Sequence, residues 1–219
     1  MKGLLLKDFY MIWKQAKIML LLVIIYILIG VFNDSLFWTM FSVIFMSMLP
    51  ITALALDERS GWNRYAGMLP YSSKDIVMSK YLFGLIGVGI VIVVYVILTV
   101  LTGIALHREI QPAAILEMII PLFSVSCIFM GTNLPIMFKT GVEKGRMWYT
   151  LSLIVIMGSS SAVISILNEE SVKKEIIGFL QIGRLTDAML QNAVLLVVCG
   201  VLLLGSMNLA VKIYEKKDL

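Results

Sequence analysis

The chain has 219 residues, of which 60% are hydrophobic and 15% charged, and its net charge is +4. Soluble globular domains are about 45–50% apolar and about 25% charged, and one core of this size has no room for so much apolar surface. The composition, with a mean hydropathy of +0.96, therefore excludes a soluble globular protein and predicts an integral membrane protein.

Six charge-free runs of 16 to 27 residues separate the charged segments of the chain. A helix needs about 17–25 residues to cross the hydrocarbon, and lipid gives the backbone no hydrogen-bond partners, so spans are helices or closed barrels. The runs are continuously apolar rather than alternating, which excludes a barrel. We predict an all-α integral membrane fold with a six-helix transmembrane domain over residues 18–219. The predicted spans are Ile18–Asn33, Ser35–Leu56, Tyr81–His107, Met118–Phe138, Met147–Asn168 and Ala188–Val211.

Lysine and arginine are distributed unevenly between the two sides of these spans. Fourteen of the 18 lie on the side that also carries both chain ends, and the remaining four lie on the other side. The positive-inside rule then predicts a multi-pass plasma membrane protein with both termini in the cytoplasm. The pI of about 9.0 follows from this bias, so it does not indicate nucleic-acid binding.

Residues 1–17 form a basic approach to the first span. Their apolar side chains recur at helical spacing on one face, with the lysines turned away, which is typical of a helix lying in the membrane interface. We predict an amphipathic elbow helix; the alternative is a simple start of span one. The predicted apolar face comprises Leu5, Phe9, Ile12, Trp13 and Ala16.

The segment 57–80 is the longest on the basic side. Pro70 stops any helix that precedes it, and Ser72 followed by Asp75 is typical of a helix start with a side-chain cap and an acid at the positive dipole end. We therefore predict a short helix, a break at the proline, and a second helix that continues into span three.

Small residues mark two packing features of the spans. Gly84, Gly87 and Gly89 lie on span three, where they permit close approach of neighbouring helices. Cys127 and Cys199 both fall inside predicted spans, which predicts free buried thiols rather than a disulfide.

Methionines on span two and serines on span five leave two interpretations open. Methionine side chains provide soft apolar surface for binding or simply fill gaps between helices. The serine hydroxyls either donate hydrogen bonds to backbone carbonyls one helical turn earlier or line a water-filled path. The candidate path residues on these two spans are Met40, Met46, Met48, Ser159, Ser160 and Ser161.

The segment 168–187 lies on the outer side of the membrane. Its mixture of charged and apolar residues predicts short helices at the membrane interface.

Catalytic and metal-binding motifs are missing from the sequence. There is no GxxxxGK[ST], HExxH, CxxC or GxSxG pattern, and one histidine cannot build a zinc site. The charged residues lie in loops rather than in an intramembrane relay, which counts against a proton-driven carrier. We predict that the chain is not an enzyme, has no catalytic or metal site, and binds no cofactor itself.

Two loops resemble the permease subunits of ABC type-2 exporters. The first carries Asp57-Glu58, Ser60-Gly61-Trp62, Leu69-Pro70, a basic residue with Ile-Val, and Lys80 before the next span. The second, from Leu134 to Arg146, is similar to the corresponding turn of small bacterial members, which include the permeases of the phenol-soluble modulin exporter. The six-span layout with an elbow helix and a helical outer segment is also similar.

The resemblance implies a half-transporter. Two such bundles, identical or sister chains, would form the path, each docked on a cytoplasmic ATPase subunit that binds ATP and Mg. The helix between Ser60 and Leu69 would be the cytoplasmic coupling helix between spans two and three. The residues expected to couple to the ATPase are Asp57, Glu58, Arg59, Gly61, Trp62, Arg64, Tyr65, Met68 and Pro70.

The predicted coupling helix has a physical rationale of its own. Trp62, Tyr65 and Met68 recur at i, i+3 and i+6 and form one anchoring stripe, and buried aromatic residues are typical interface hot spots. Arg59 and Arg64 would pair with acids on the ATPase. The alternative is a helix on the membrane surface with its aromatic rings among the headgroups.

The resemblance also implies a cargo. We expect amphipathic, modulin-like peptides to leave the cytoplasm or inner leaflet along a path between spans two and five of both copies. One alternative cargo is a small lipid-like or antimicrobial compound, exported for resistance or self-protection. A second alternative is a membrane sensor or scaffold that transports nothing.

Overall fold

The computed structural model describes residues 2–13, 17–66, 68–107, 112–145, 147–148, 150–152, 154–155 and 187–217, and every regular element within them is an α-helix. Residues 142–145 form one further helical turn. The main helices are α1 (Lys2–Trp13), α2 (Lys17–Phe32), α3 (Leu36–Ser47), α4 (Leu49–Ser60), α5 (Trp62–Ala66), α6 (Ser73–Ala105), α7 (Pro112–Thr140) and α8 (Asp187–Lys217).

The long apolar helices agree with a protein that is integral to a membrane. Among the described residues, four helical stretches are long and apolar enough to cross a bilayer: Leu36–Ser60, Ser73–Ala105, Met118–Thr140 and Asn192–Lys216. The 16-residue α2 adds a fifth only together with α1, to which it lies at 86°. Most of the predicted span 147–168 and nearly all of the predicted outer segment 168–187 lie outside the described residues.

The predicted second span consists of two helices, α3 and α4, that meet at Met48. Pro50 is the second residue of α4 and has no amide hydrogen to donate, so the helix can restart at this point without losing a bond. The Met48 amide itself donates to the carbonyls of Ile44 and Phe45 at 3.2 Å each. Gly61 then ends α4 in the left-handed conformation, with φ +66°.

The start of α6 is as the sequence predicts. Ser72 Oγ accepts a hydrogen bond from the Asp75 amide at 3.2 Å, and the Asp75 carboxylate accepts one from the Ser72 amide at 3.3 Å. This capping box satisfies donors that would otherwise be left without partners at a helix end. Pro70 lies in the preceding turn, so the predicted break and second helix are confirmed.

Helix α6 lies at the centre of the bundle and packs against α1, α2, α3, α4, α7 and α8. A side chain at Gly84 would collide with Met130 and Pro50, which confirms close helix packing there. At Gly87 the fit is less tight, since an added Cβ atom would lie 3.2 Å from Leu49 and 3.3 Å from Met46. Gly89 has no described neighbour within 4 Å.

Helices α7 and α8 run parallel in a constant register. Their contacts join positions that are 75, 75 and 76 residues apart along the chain. These contacts are Cys199 Sγ to the Ser124 carbonyl, Ser206 Oγ to the Gly131 carbonyl, and the Phe138 ring to the Tyr214 ring. Both cysteines are free and buried, as predicted.

Both α7 and α8 therefore finish at the same end of the bundle, which also holds α1, α5 and the start of α6. We call this the charged end. An apolar core around Phe129 and Leu134 lies nearer to it, and a second core around Val43 and Val88 lies nearer to the α2–α3 turn.

Candidate functional site

Four charged side chains from three helices meet at the charged end. Lys7 and Asp8 come from α1, Asp57 from the last turns of α4, and Lys80 from the second turn of α6. Lys80 Nζ lies 2.8 Å from Asp8 Oδ1 and 2.6 Å from Asp57 Oδ2. Lys7 Nζ lies 2.7 Å from Asp57 Oδ1 and 3.2 Å from Asp8 Oδ1. The four residues form a closed ring of alternating charge, which we call the charge ring.

The charge ring is buried and electrically balanced. Asp8, Asp57 and Lys80 are at most 3% exposed. Removing ions from water costs several kcal/mol each, and only close partners of opposite sign offset this cost. Each lysine in the ring has two carboxylate partners, so the ring holds α1 firmly against the ends of α4 and α6.

Trp62 connects the charge ring to α5. Lys7 Nζ lies 4.2 Å from the centre of the Trp62 ring, a distance at which the cation is attracted to the aromatic face. The same ring packs against the apolar core at the charged end. Its Nε1 is buried and has no hydrogen-bond partner among the described residues. Trp62 therefore faces the bundle.

Helix α5 lies within the region predicted as the coupling helix but is shorter, because it ends at Ala66. The predicted stripe is divided. Trp62 is half-buried against the bundle, whereas Tyr65 is 63% exposed and Met68 is 84% exposed in the turn that follows α5. Arg64 lies on α5, and its side chain is outside the described residues.

A second contact joins the two loops at the charged end. Glu58 Oε2 accepts a hydrogen bond from the Val142 amide at 3.0 Å, at the start of the helical turn 142–145. Gly141 precedes it with φ +79°, a conformation that favours glycine, and a side chain there would meet Glu58. Glu58 thus caps the turn, and the two loops are fixed to each other.

A cleft of about 600 Å³ opens between α4 and the end of α7. Apolar side chains such as Ile51, Ala55 and Met137 line its depth. Arg59 and Lys144, both exposed, lie at its charged rim. The cleft therefore combines an apolar interior with charged groups at one end.

The predicted path residues are not gathered at one place. Met40 and Met46 pack in the core between α2, α3 and α6, and Met48 lines the cleft. Ser159, Ser160 and Ser161 lie outside the described residues. Within the described ranges, no group of three or more His, Cys, Asp or Glu side chains is placed to hold a metal ion.

Sequence reasoning assigned Asp57 to ATPase contacts and missed its partners. Lys7, Asp8 and Lys80 were not predicted to form a site. One signal was available, because Asp8 is the only acid among the first 33 residues and lies in a largely apolar segment, with Lys7 beside it. An acid in such a place calls for a cation, but the sequence does not show which one.

Comparison with known families gave one match. A family model described as ABC-2 family transporter protein matches residues 3–215. Searches of curated proteins and of solved structures returned no match. The matched range includes the whole charge ring, α5 and the cleft.

Proposed function

Because the chain belongs to the ABC-2 family of transporter proteins, we propose that it is the permease of an ATP-driven exporter and couples to a separate ATPase subunit through α5. The chain is a multi-pass membrane component of an ABC transporter. ATP hydrolysis, with bound Mg, takes place in the partner subunit. The exported cargo is amphipathic, with modulin-like peptides as the first candidate.

The observation that carries the coupling proposal is the exposure of Tyr65 and Met68 at the charged end. Both side chains lie outside the apolar helices, Tyr65 on α5 and Met68 in the turn after it, and Trp62 at the start of α5 packs against the bundle. A large aromatic residue and a methionine at such exposed positions are typical of the central contacts of a protein interface. We propose that the ATPase covers them.

The proposal includes six spans with both termini in the cytoplasm. Helices α7 and α8 are parallel, so they begin at the same end of the bundle and finish at the other. In this proposal the connection between them crosses the membrane once, and together with α2 and the four long apolar stretches this makes six. The positive-inside rule places the charged end, with α1 as the elbow helix, in the cytoplasm.

The cleft supports an amphipathic cargo. It lies between α4 and α7 near the cytoplasmic interface, and it offers Ile51 and Met137 to an apolar face and Arg59 and Lys144 to a polar one. Small lipid-like or antimicrobial compounds have the same two-sided chemistry, so they are the second candidate cargo. Both would enter from the inner leaflet.

In the proposed cycle, ATP closes a pair of ATPase subunits and moves the α5 helices docked on them. The two permease bundles, identical or sister chains, then rock against each other. The path between them closes toward the cytoplasm and opens outward. Hydrolysis resets the ATPases and returns both bundles to the starting arrangement.

The test is co-purification with the candidate ATPase subunit in lipid nanodiscs, followed by ATPase assays. The double variant Tyr65→Ala/Met68→Ala should weaken the complex about thirtyfold or more, because a single interface hot spot already contributes about 2 kcal/mol or more. Tyr10→Ala is the matched control, since Tyr10 is 67% exposed on α1. Equal binding by the double variant and the unsubstituted chain would contradict docking through α5.

The same preparation tests the cargo. An amphipathic helical peptide should stimulate ATP hydrolysis, whereas a scrambled peptide of equal composition should not. Stimulation by small amphiphiles alone would favour the second candidate. A complex whose activity responds to no amphiphile, and whose permease does not change conformation with nucleotide, would favour a sensor or scaffold.

A further inference from the structure

Lys7 has contacts that no other member of the charge ring has. Its Nζ bonds to Asp57 on α4, lies near Asp8 on its own helix, and rests over the ring of Trp62 on α5. One ammonium group therefore touches the elbow region, the end of the α3–α4 unit and the first residue of α5.

The two lysines of the ring differ in their surroundings. The Lys80 side chain is 2% exposed, and among the described residues the polar partners of its Nζ are the two carboxylates, which fix α6 to α1 and α4. The Lys7 side chain is 18% exposed and lies at the edge of the ring that faces α5. Lys80 is thus suited to hold α1, α4 and α6 together. Lys7, in contrast, is suited to keep its contact with Trp62 when that ring moves.

The connection between α4 and α5 allows such a movement. A single residue, Gly61, separates the two helices, and it has φ +66°. Backbone rotation at this glycine changes the direction of α5 without unwinding α4. Trp62 follows directly, so a turn of α5 first displaces the ring beneath Lys7.

We infer that Lys7 is a positioning residue that carries movement of α5 into α1, with the Trp62 ring as the contact between them. This inference rests on the proposed coupling through α5 and assigns the route by which the movement enters the bundle. When the ATPase moves α5, the Lys7 cation stays over the aromatic face and draws its side of α1 along, while Asp8 stays bonded to Lys80. Helix α1 then turns about the Asp8–Lys80 contact, so its exposed residues shift relative to α6 at the membrane surface.

The experiment measures the distance between α1 and α6 in the complex with the ATPase subunit. Spin labels are placed on Tyr10→Cys and Lys74→Cys, both exposed sites, while the native Cys127 and Cys199 are buried. A non-hydrolysable ATP analogue should shift the label distance in the unsubstituted background. Lys7→Met keeps the aliphatic stem but removes the charge, so it should abolish the shift while the complex still forms.

Four further variants serve as comparisons for Lys7→Met. Lys7→Arg keeps a cation over the ring and should retain the shift. Trp62→Phe keeps an aromatic face and should retain part of it, whereas Trp62→Leu should lose it. Lys2→Met makes the same charge change at an exposed site on the same helix and should change nothing. Trp62→Leu tests the same contact should Lys7→Met fail to fold.

Each contrary result has a separate meaning. A full distance shift in Lys7→Met, or in Trp62→Leu, would overturn the inference. Loss of the complex in Lys7→Met would also overturn it, because Lys7 would then act in docking rather than in transmission. Absence of a complex with the unsubstituted chain would instead refute the proposed function itself.

Discussion

Lys80 Nζ donates hydrogen bonds to both carboxylate oxygens of Asp8, at 2.8 and 2.9 Å, across a separation of 72 positions in the chain. The bidentate contact joins α1 to the beginning of the central helix α6. It is fully inside the protein, so water does not weaken it. The orientation of α1, at nearly a right angle to α2, therefore depends on charges rather than on apolar packing alone.

Removing Lys80 should destabilise the fold severely. Lys80→Met leaves Asp8 and Asp57 buried with one cation between them, and breaking a buried pair in this way costs about 3–5 kcal/mol. The double variant Asp8→Asn/Lys80→Met restores neutrality and should lose less stability than Lys80→Met. Thermal unfolding in detergent measures both, with Lys74→Met as the exposed control. Equal losses in the single and double variants would argue against charge balance as the reason.

Adding side chains to the two glycines Gly84 and Gly89 should have unequal effects. An alanine methyl at Gly84 would overlap Met130 and press on Pro50, and such overpacking costs about 1–3 kcal/mol. Gly89 has no described neighbour within 4 Å, so Gly89→Ala should be neutral or slightly stabilising. Unfolding temperatures of the two variants in the same detergent compare them. A larger loss at Gly89 would contradict the close packing of α6 around Gly84.

The link between the two loops should depend on Glu58. Glu58→Ala removes the acceptor of the Val142 amide, and loss of such a helix cap costs about 0.5–2 kcal/mol. The amide of Val142 should then exchange with solvent faster, which hydrogen exchange detects. Glu143→Ala removes an exposed acid from the same turn and serves as the control. Unchanged protection in Glu58→Ala would show that the cap has no effect on this turn.

Ser72→Ala should loosen the beginning of α6 without disturbing its apolar part. The substitution removes the acceptor for the Asp75 amide and costs about 1 kcal/mol. Increased exchange should be confined to the first turn, because the next turn is held by Lys80 in the charge ring. Ser73→Ala, one residue later, leaves the cap intact. Faster exchange throughout α6 would mean that the cap stabilises more than its own turn.

Much of the helical framework follows from the sequence because its causes are local. The start of α6 depends on two residues three positions apart, Ser72 and Asp75, and both are visible in the sequence as a cap. Within the described residues, the charge-free runs lie largely inside the long helices, which continue through charged residues such as Lys80 and Lys212 at the charged end. The interruption at Met48 was missed, although Pro50 was a local sign of it.

The candidate site follows from the sequence only in part, because it depends on tertiary contacts. Asp57 was expected to face the ATPase, yet its carboxylate binds lysines that lie 50 positions before it and 23 after it. Helical spacing placed Trp62 in one stripe with Tyr65. It does not predict the half-buried position of the indole, which packs against the apolar core and beneath Lys7. Spacing along one helix carries no information about a cation supplied by another.

The 72-position separation between Asp8 and Lys80 also orders events during synthesis. The chain is made from its N-terminus, so α1 reaches the membrane while the cation that neutralises Asp8 has not yet been translated. Until α6 begins to insert, the acid has only Lys7, its neighbour in sequence, to offset its charge. Helix α1 therefore reaches its final position only after α6 has been made, and its attachment reports that α2 to α6 are in place.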